Sequence, residues 1–281
     1  MNNFELYKLK KAGLKNHHIL NIIHYSQQTK KSLSLRNMAV VSGTSKPCLF
    51  LENYKLLNIK ELRVEFKKYP SFSILDKTYP LALKEIDNPP VLLFYQGNLE
   101  LLNRHKLAVV GSRKSSAVGN KSVESLIKQL NNQFVIVSGL ARGIDTVSHF
   151  SSIKQGGETI AVIGSGLDIY YPKENRRLQE FIAEKHLLLS EYCPKEAPLA
   201  HHFPERNRII AGLSMGVLVA EAKWRSGSLI TCRFALDYGR DIFVVPGAIL
   251  DKQSQGGNHL IQEGAKLVTK GLDIISEYQF L

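Results

Sequence analysis

A chain of 281 residues with 44% hydrophobic residues has the apolar content to bury a sizeable core, which excludes a disordered polypeptide. Its 37 Lys+Arg against 25 Asp+Glu leave a net charge of +12, which points to a polyanion such as nucleic acid or else serves solubility alone. No apolar run reaches the ~18 residues of a bilayer span. No long apolar stretch follows the lysines of MNNFELYKLKKAGLK, so the expected location is cytoplasmic. Cys48, Cys193 and Cys232 lie too far apart for a zinc site, so they are expected to be reduced thiols and no metal is expected.

The charge is unevenly placed: residues 1–75 hold 13 Lys+Arg against 4 Asp+Glu. In this stretch Leu6, Leu9, Leu14, Ile19, Leu20, Ile22 and Ile23 recur at helical spacing and are interrupted at Gly13. The run 37–43 followed by Thr44, Ser45 and Pro47 predicts a helix end and a fresh start. Leu49, Leu56, Leu57, Ile59 and Leu62 continue the pattern, so 1–75 is expected to be a small helical domain and 76–281 a second, larger one. Residues 69–90 carry four prolines and read as a linking segment, with a strand expected at 91–97.

From residue 107 the texture changes. Apolar runs at 107–110, 134–138, 159–163, 186–190, 216–220 and 241–245 alternate with helical stretches. Continuous apolar strands of this kind predict a parallel sheet covered on both faces, an α/β, doubly wound, Rossmann-like fold. Ligands bind such sheets beyond the carboxyl ends of the strands. The residues there are Gly111-Ser112-Arg113, Gly139 to Asp145 with Arg142, Gly164-Ser165-Gly166, Tyr171-Pro172-Lys173, Glu221-Ala222-Lys223, Ser226 to Thr231, and Pro246-Gly247. Glycines admit close approach, helix N-termini offer N–H groups, and arginine matches phosphate, so this rim is a phosphate-binding edge.

Nucleotide motifs fail on inspection. Gly164-Ser165-Gly166 leads to Ile169 where a dinucleotide fingerprint needs glycine, and Gly119-Asn120-Lys121-Ser122 interrupts a P-loop. Phe203-Pro204-Glu205-Arg206-Asn207-Arg208 places two arginines at the start of a helix, where an anion would meet N–H groups. Asp145 and His149 lie four apart on one helix face, as an acid/base pair or a structural hydrogen bond. No nucleophile with a fixed partner emerges, so neither a catalytic residue nor a cofactor is expected.

Together these motifs resemble the DNA processing protein A (DprA/Smf) family. The resemblance is carried by Val109 to Arg113, Ser138 to Asp145 with His149, Thr159 to Gly164, Tyr171-Pro172, Ser190-Glu191-Tyr192, Phe203-Pro204 with Arg206 to Leu213, and Glu221-Ala222. It continues through Ser226 to Thr231, Gly239-Arg240, Pro246-Gly247, Leu260-Ile261 and Gly264-Ala265, covering about residues 76–281 in order. It implies an extended Rossmann domain that binds single-stranded DNA, homodimers, and loading of a RecA-type recombinase onto incoming DNA in natural transformation. It also implies that residues 1–75 form a sterile-alpha-motif-like domain. Two departures stand out: Val147-Ser148 replaces the usual alanines before His149, and no winged-helix domain is expected after Gly264-Ala265.

The expected DNA contacts are Gly111, Ser112, Arg113, Gly139, Arg142, Lys173, Arg206, Asn207 and Arg208, with bases stacking on Tyr170 or Phe203. Apolar Leu260, Ile261, Leu267 and Val268 after the last strand are expected at the dimer interface. A competing reading is a phosphoribohydrolase-like nucleotide hydrolase. Those enzymes carry Pro-Gly-Gly-x-Gly-Thr-x-x-Glu, which Pro246-Gly247-Ala248-Ile249-Leu250 does not reproduce.

Overall fold

The computed structural model describes residues 1–278. The backbone groups into two compact units, one of residues 1–79 and 87–94, the other of residues 80–86 and 95–281.

The first unit holds α1 (Asn3–Lys11), α2 (Asn16–Thr29), α3 (Leu35–Val41), α4 (Pro47–Leu56) and α5 (Ile59–Phe66). Its starts and stops follow local chemistry. Asn2 and Glu5 form a reciprocal capping box at α1, at 3.0 and 2.9 Å. Gly13 takes φ +95°, a conformation that suits glycine, between α1 and α2. Ser34 caps α3, Pro47 opens α4 and Asn58 caps α5. Leu6, Tyr7, Leu9, Ile19, Ile22 and Ile23 are buried between these helices. The apolar pattern misleads further along. Leu49, Leu56 and Ile59 are exposed, because α4 buries Phe50 and α5 buries Leu62 instead. The proline-rich stretch is not all linker: β1 (Ser71–Ser73) pairs antiparallel with the start of β2 (Leu92–Gly97), and α6 (Leu81–Lys84) belongs to the second unit.

The second unit runs β3 (Lys106–Val110), α7 (Ala117–Gln129), β4 (Val135–Ser138), α8 (Ile144–Lys154), β5 (Thr159–Ile163) and α9 (Arg176–Lys185). It continues β6 (Leu187–Ser190), α10 (His202–Leu213), β7 (Gly216–Val219), α11 (Gly227–Asp237), β8 (Asp241–Val244), α12 (Gln255–Gln262), β9 (Lys266–Leu267) and α13 (Leu272–Ile275). All six apolar runs of this region are strands. With the short β9 added, the strand order is β6-β5-β4-β3-β7-β8-β9, every adjacent pair parallel. Strands β4 to β7 are buried throughout, as strands covered on both faces must be. The sheet grows outward from β3 in one direction through β4, β5 and β6. It then restarts on the other side with β7, β8 and β9. The β3/β7 boundary is therefore the topological switch point, where helices leave in opposite senses and a crevice opens.

One face of this sheet buries Leu107, Val109, Leu126, Ile136, Leu218 and Phe243 with Val268, Ile274 and Tyr278. Val268 is fully buried there and its N–H donates to the Val244 carbonyl, so it is a core residue and not part of a subunit interface. Leu267, one residue earlier, points the other way and is half exposed, as the two-residue strand period requires. Val268→Asp should therefore abolish the native fold, since an unpaired buried carboxylate costs several kcal/mol. Leu267→Arg should leave circular dichroism and melting temperature nearly unchanged. A Val268→Asp protein with native melting would contradict this placement of the core.

Candidate nucleic-acid interface

At the switch point lies a cavity of about 500 Å³. The carboxyl end of β3 supplies Gly111, Ser112, Arg113 and Lys114; the loop after β7 supplies Lys223, Trp224, Arg225 and Ser226; and α10 supplies Phe203, Arg206 and Asn207. A recess of about 30 Å³ adjoins it, sharing Arg113, Phe203 and Arg206 and reaching Tyr171 and Arg142.

The turn that carries Arg113 is pinned from several sides. Ile144 N–H donates to the Ser112 carbonyl at 3.1 Å. Gln253 accepts from the Ser112 hydroxyl at 3.2 Å and donates to the Lys114 carbonyl at 3.0 Å. The Ser112 hydroxyl oxygen accepts from Lys114 N–H at 3.1 Å. Ser116 N–H and hydroxyl both donate to Glu221, at 2.9 and 2.5 Å. The side chains of Arg113 and Lys114 meanwhile stay exposed, and neither pairs with a carboxylate among the described residues. The Arg113 guanidinium lies 5.5 Å from the Phe203 ring centre, a cation–π geometry that holds it over the cavity mouth.

Glu221 explains why this crevice differs from a nucleotide site. It is buried, and its carboxylate lies against the first turn of α7, where Ser116 caps the helix and in turn accepts from Gly119 N–H at 3.0 Å. A Cβ at Gly119 would collide with that carboxylate. In a dinucleotide fold the helix N-terminus after the first strand receives a phosphate. Here the chain fills that place with its own anion.

The arginines of α10 are corrected by the structure. Arg206 is 3% exposed, and its guanidinium donates to the carbonyls of Gly139 and Val162 at the ends of β4 and β5. A Cβ on Gly139 would occupy the guanidinium's place, so that glycine serves packing against Arg206. Arg208 is 5% exposed and paired with buried Glu191 at 2.8 Å. Both arginines lie in the second turn of α10 and not at its start, and both turn into the protein, where its own acceptors hold them. Asp145, also buried, accepts from Gly139 N–H at 3.1 Å and Ala141 N–H at 3.3 Å. Burial pushes the Asp145 carboxyl above its usual range, against the pull of Arg206. Burial likewise lowers Arg206 to about 10, which leaves it charged at neutral pH. Between them Leu140 is held at φ +56°, a left-handed conformation costly for a bulky residue. Gly143 at φ +71° lets this loop pass against the Ser112 carbonyl.

Of the other expected contacts, Gly111, Ser112, Arg113 and Asn207 line the cavity. Arg142 lies at the recess, paired on the surface with Glu174. Lys173 is exposed and outside both. Phe203 sits between them, while Tyr170 is taken by Arg176, 4.8 Å from its ring. Sequence reasoning placed Lys223 on the rim but missed Lys114, Trp224 and Arg225. The legible signal was cations interleaved with an aromatic directly after a strand.

Asp145 and His149 do not bond each other. The Thr159 hydroxyl donates to the Ile136 carbonyl at 2.7 Å and so accepts from His149 Nδ1–H at 2.6 Å. His149 Nε2 is buried with no partner among the described residues. The imidazole is thus built neutral, and burial, with smaller contributions from Arg206 and His186, lowers it to about 3.

Residues 71–279 match the family model "DNA recombination-mediator protein A", and residues 1–62 match "DNA processing protein A sterile alpha motif domain". DNA processing protein DprA of Streptococcus pneumoniae is 57% identical over 278 residues, 99% of each chain. The crystal structure of that protein superposes with a TM-score of 0.97, covering 99% of this chain and 98% of the other. DNA processing protein A from Helicobacter pylori, whose structure is described by its single-stranded-DNA binding mode, is 30% identical with a TM-score of 0.67, covering 75% and 96%. The first unit is accordingly sterile-alpha-motif-like and the second an extended Rossmann-like domain.

His149 gives the fold a defined acid sensitivity. The unfolded histidine takes a proton near 6.5, and the folded one resists until about 3. The stability tied to its neutral state is therefore full above 6.5 and lost progressively as pH falls through that window. Between pH 6.5 and 5, urea unfolding of the wild type should weaken more steeply than that of His149→Gln, the difference rising toward about 1.4 kcal/mol per pH unit. Parallel pH curves for the two proteins would remove His149 from this role.

Proposed function

Because this chain belongs to the DNA recombination-mediator protein A family, we propose that it binds single-stranded DNA at the β3/β7 crevice and acts as a mediator of homologous recombination. The observation that carries the reading is the division of charge at the crevice. Arg206 and Arg208 are buried and compensated, whereas Arg113, Lys114, Lys223 and Arg225 are exposed and without carboxylate partners among the described residues. Exposed cations on a braced backbone are what a phosphate chain needs. Phe203 and Trp224 line the same cavity; Phe203 already carries Arg113 over its ring, while exposed Trp224 offers a face on which a base of a single strand stacks. A duplex keeps its bases stacked internally and gains nothing from that face. The Helicobacter pylori relative binds single-stranded DNA, which supports the same ligand here.

In this reading the protein works by binding and performs no reaction. It covers incoming single strands in the cytoplasm during natural transformation and passes them to a RecA-type recombinase. A homodimer through half-buried Leu260 and Ile261 with exposed Leu267 would place two crevices on one strand.

Affinity should be higher for a single-stranded homopolymer than for a duplex of equal length, without nucleotide. Four phosphate contacts in the crevice contribute about −2.8 to the log-affinity against log-salt slope. Arg113→Ala should make the slope shallower by ~0.7 at unchanged melting temperature. Equal binding of duplex, or an unchanged slope in the folded variant, would contradict the assignment. Leu267→Arg should convert a dimer to a folded monomer by light scattering, and a persistent dimer would place the interface elsewhere.

A further inference from the structure

We infer that the helical unit carries a second surface for a nucleic-acid phosphate backbone, on α1 and α5 around Lys8 and Arg63. The inference rests on the nucleic-acid reading above but on different residues. Residues 1–75 hold 13 basic against 4 acidic side chains, and three of those four acids are engaged locally. Glu5 closes the α1 capping box. Glu61 accepts from Asn58 at 2.7 Å. Glu65 accepts from the Tyr7 hydroxyl and pairs with Lys11, both at 2.7 Å.

Lys8 and Arg63 are left without an acidic partner among the described residues, yet they are not loose in solvent. Arg63 stands 5.1 Å and Lys8 5.7 Å from the centre of the same ring, Phe4, and Lys8 is also 5.5 Å from that of Tyr54. Two like charges gathered on one ring repel each other, which offsets part of the cation–π attraction and leaves the pair electrostatically unsatisfied. Seated on half-buried rings, they are oriented before any ligand arrives, which lowers the ordering cost of contact. Exposed Lys60, three residues before Arg63 on α5, and Lys67 at its C-terminal cap, four after, extend the same face. The rings are already covered by cations, so the ligand meets charge and not a stacking platform. That fits a run of phosphates and predicts no base preference.

The test uses the full-length protein and a fluorescent single-stranded homopolymer across a salt series. Lys8→Gln/Arg63→Gln should make the slope shallower by about 1.4 and weaken binding on the order of 50-fold at 50 mM salt, the difference closing toward 1 M. Lys30→Gln/Lys31→Gln removes equal charge from exposed positions of the same unit and should change the slope far less. If both pairs shift the slope equally, or the Lys8/Arg63 pair shifts it not at all, the surface does not exist. Should the double variant fold poorly, Arg63→Gln alone should give about half the change in slope. Arg113→Ala in the same assay separates the two sites: loss there, with none in the Lys8/Arg63 pair, overturns the second surface and leaves the crevice standing.

Discussion

The buried guanidinium of Arg206 is the constraint around which the crevice is arranged. It reaches from α10 beneath the carboxyl ends of β4 and β5 and satisfies the Gly139 and Val162 carbonyls. A cation taken out of water there costs several kcal/mol unless it is compensated. Asp145 supplies the opposite charge. The consequences run outward. Residue 139 must lack a side chain, the chain must turn through Leu140 in a left-handed conformation, and Asp145 must tie down the N–H groups of that loop. Gly143 then admits the Ser112 carbonyl, and the turn beyond it sends Arg113 into solvent. The most buried arginine thus helps to fix where an exposed one stands.

Compensated and uncompensated charge divide the labour. Arg208 with Glu191, Asp145 with Arg206, and Glu221 with the start of α7 are closed inside the fold and set its shape. Arg113, Lys114, Lys223 and Arg225 remain at the surface, and among the described residues none of them forms a salt bridge. Glu221 also occupies the helix N-terminus, so in the proposed reading a phosphate would meet the outer cations, where a continuous backbone can lie across several of them.

The fold was legible wherever burial leaves a linear trace. Strands covered on both faces are unbroken apolar runs, so β3 to β8 stood out, and Gly13 and Pro47 marked helix limits by their own conformational rules. Strand order was not legible, because it depends on which edge each crossover returns to. The two residues of β9 carry no periodicity at all. At the site, Arg113 was readable from its place after a strand. Arg206 and Arg208 were misread because a helical arginine looks the same in sequence whether it faces solvent or core. Only the partners, Gly139, Val162 and Glu191, distant in sequence, distinguish the two. Lys114, Trp224 and Arg225 were overlooked beside more conspicuous glycines and serines.

The most direct measurement is photo-cross-linking of a 5-iodouracil-substituted single strand to the wild-type protein, followed by peptide mapping. Adducts concentrated on Phe203 and Trp224, and lost when unlabelled single strand competes, are the result expected if bases enter the β3/β7 crevice. Competed adducts confined to other aromatics, such as Phe150 or Phe181 on α8 and α9, would show that the strand binds elsewhere and that the crevice is not the site.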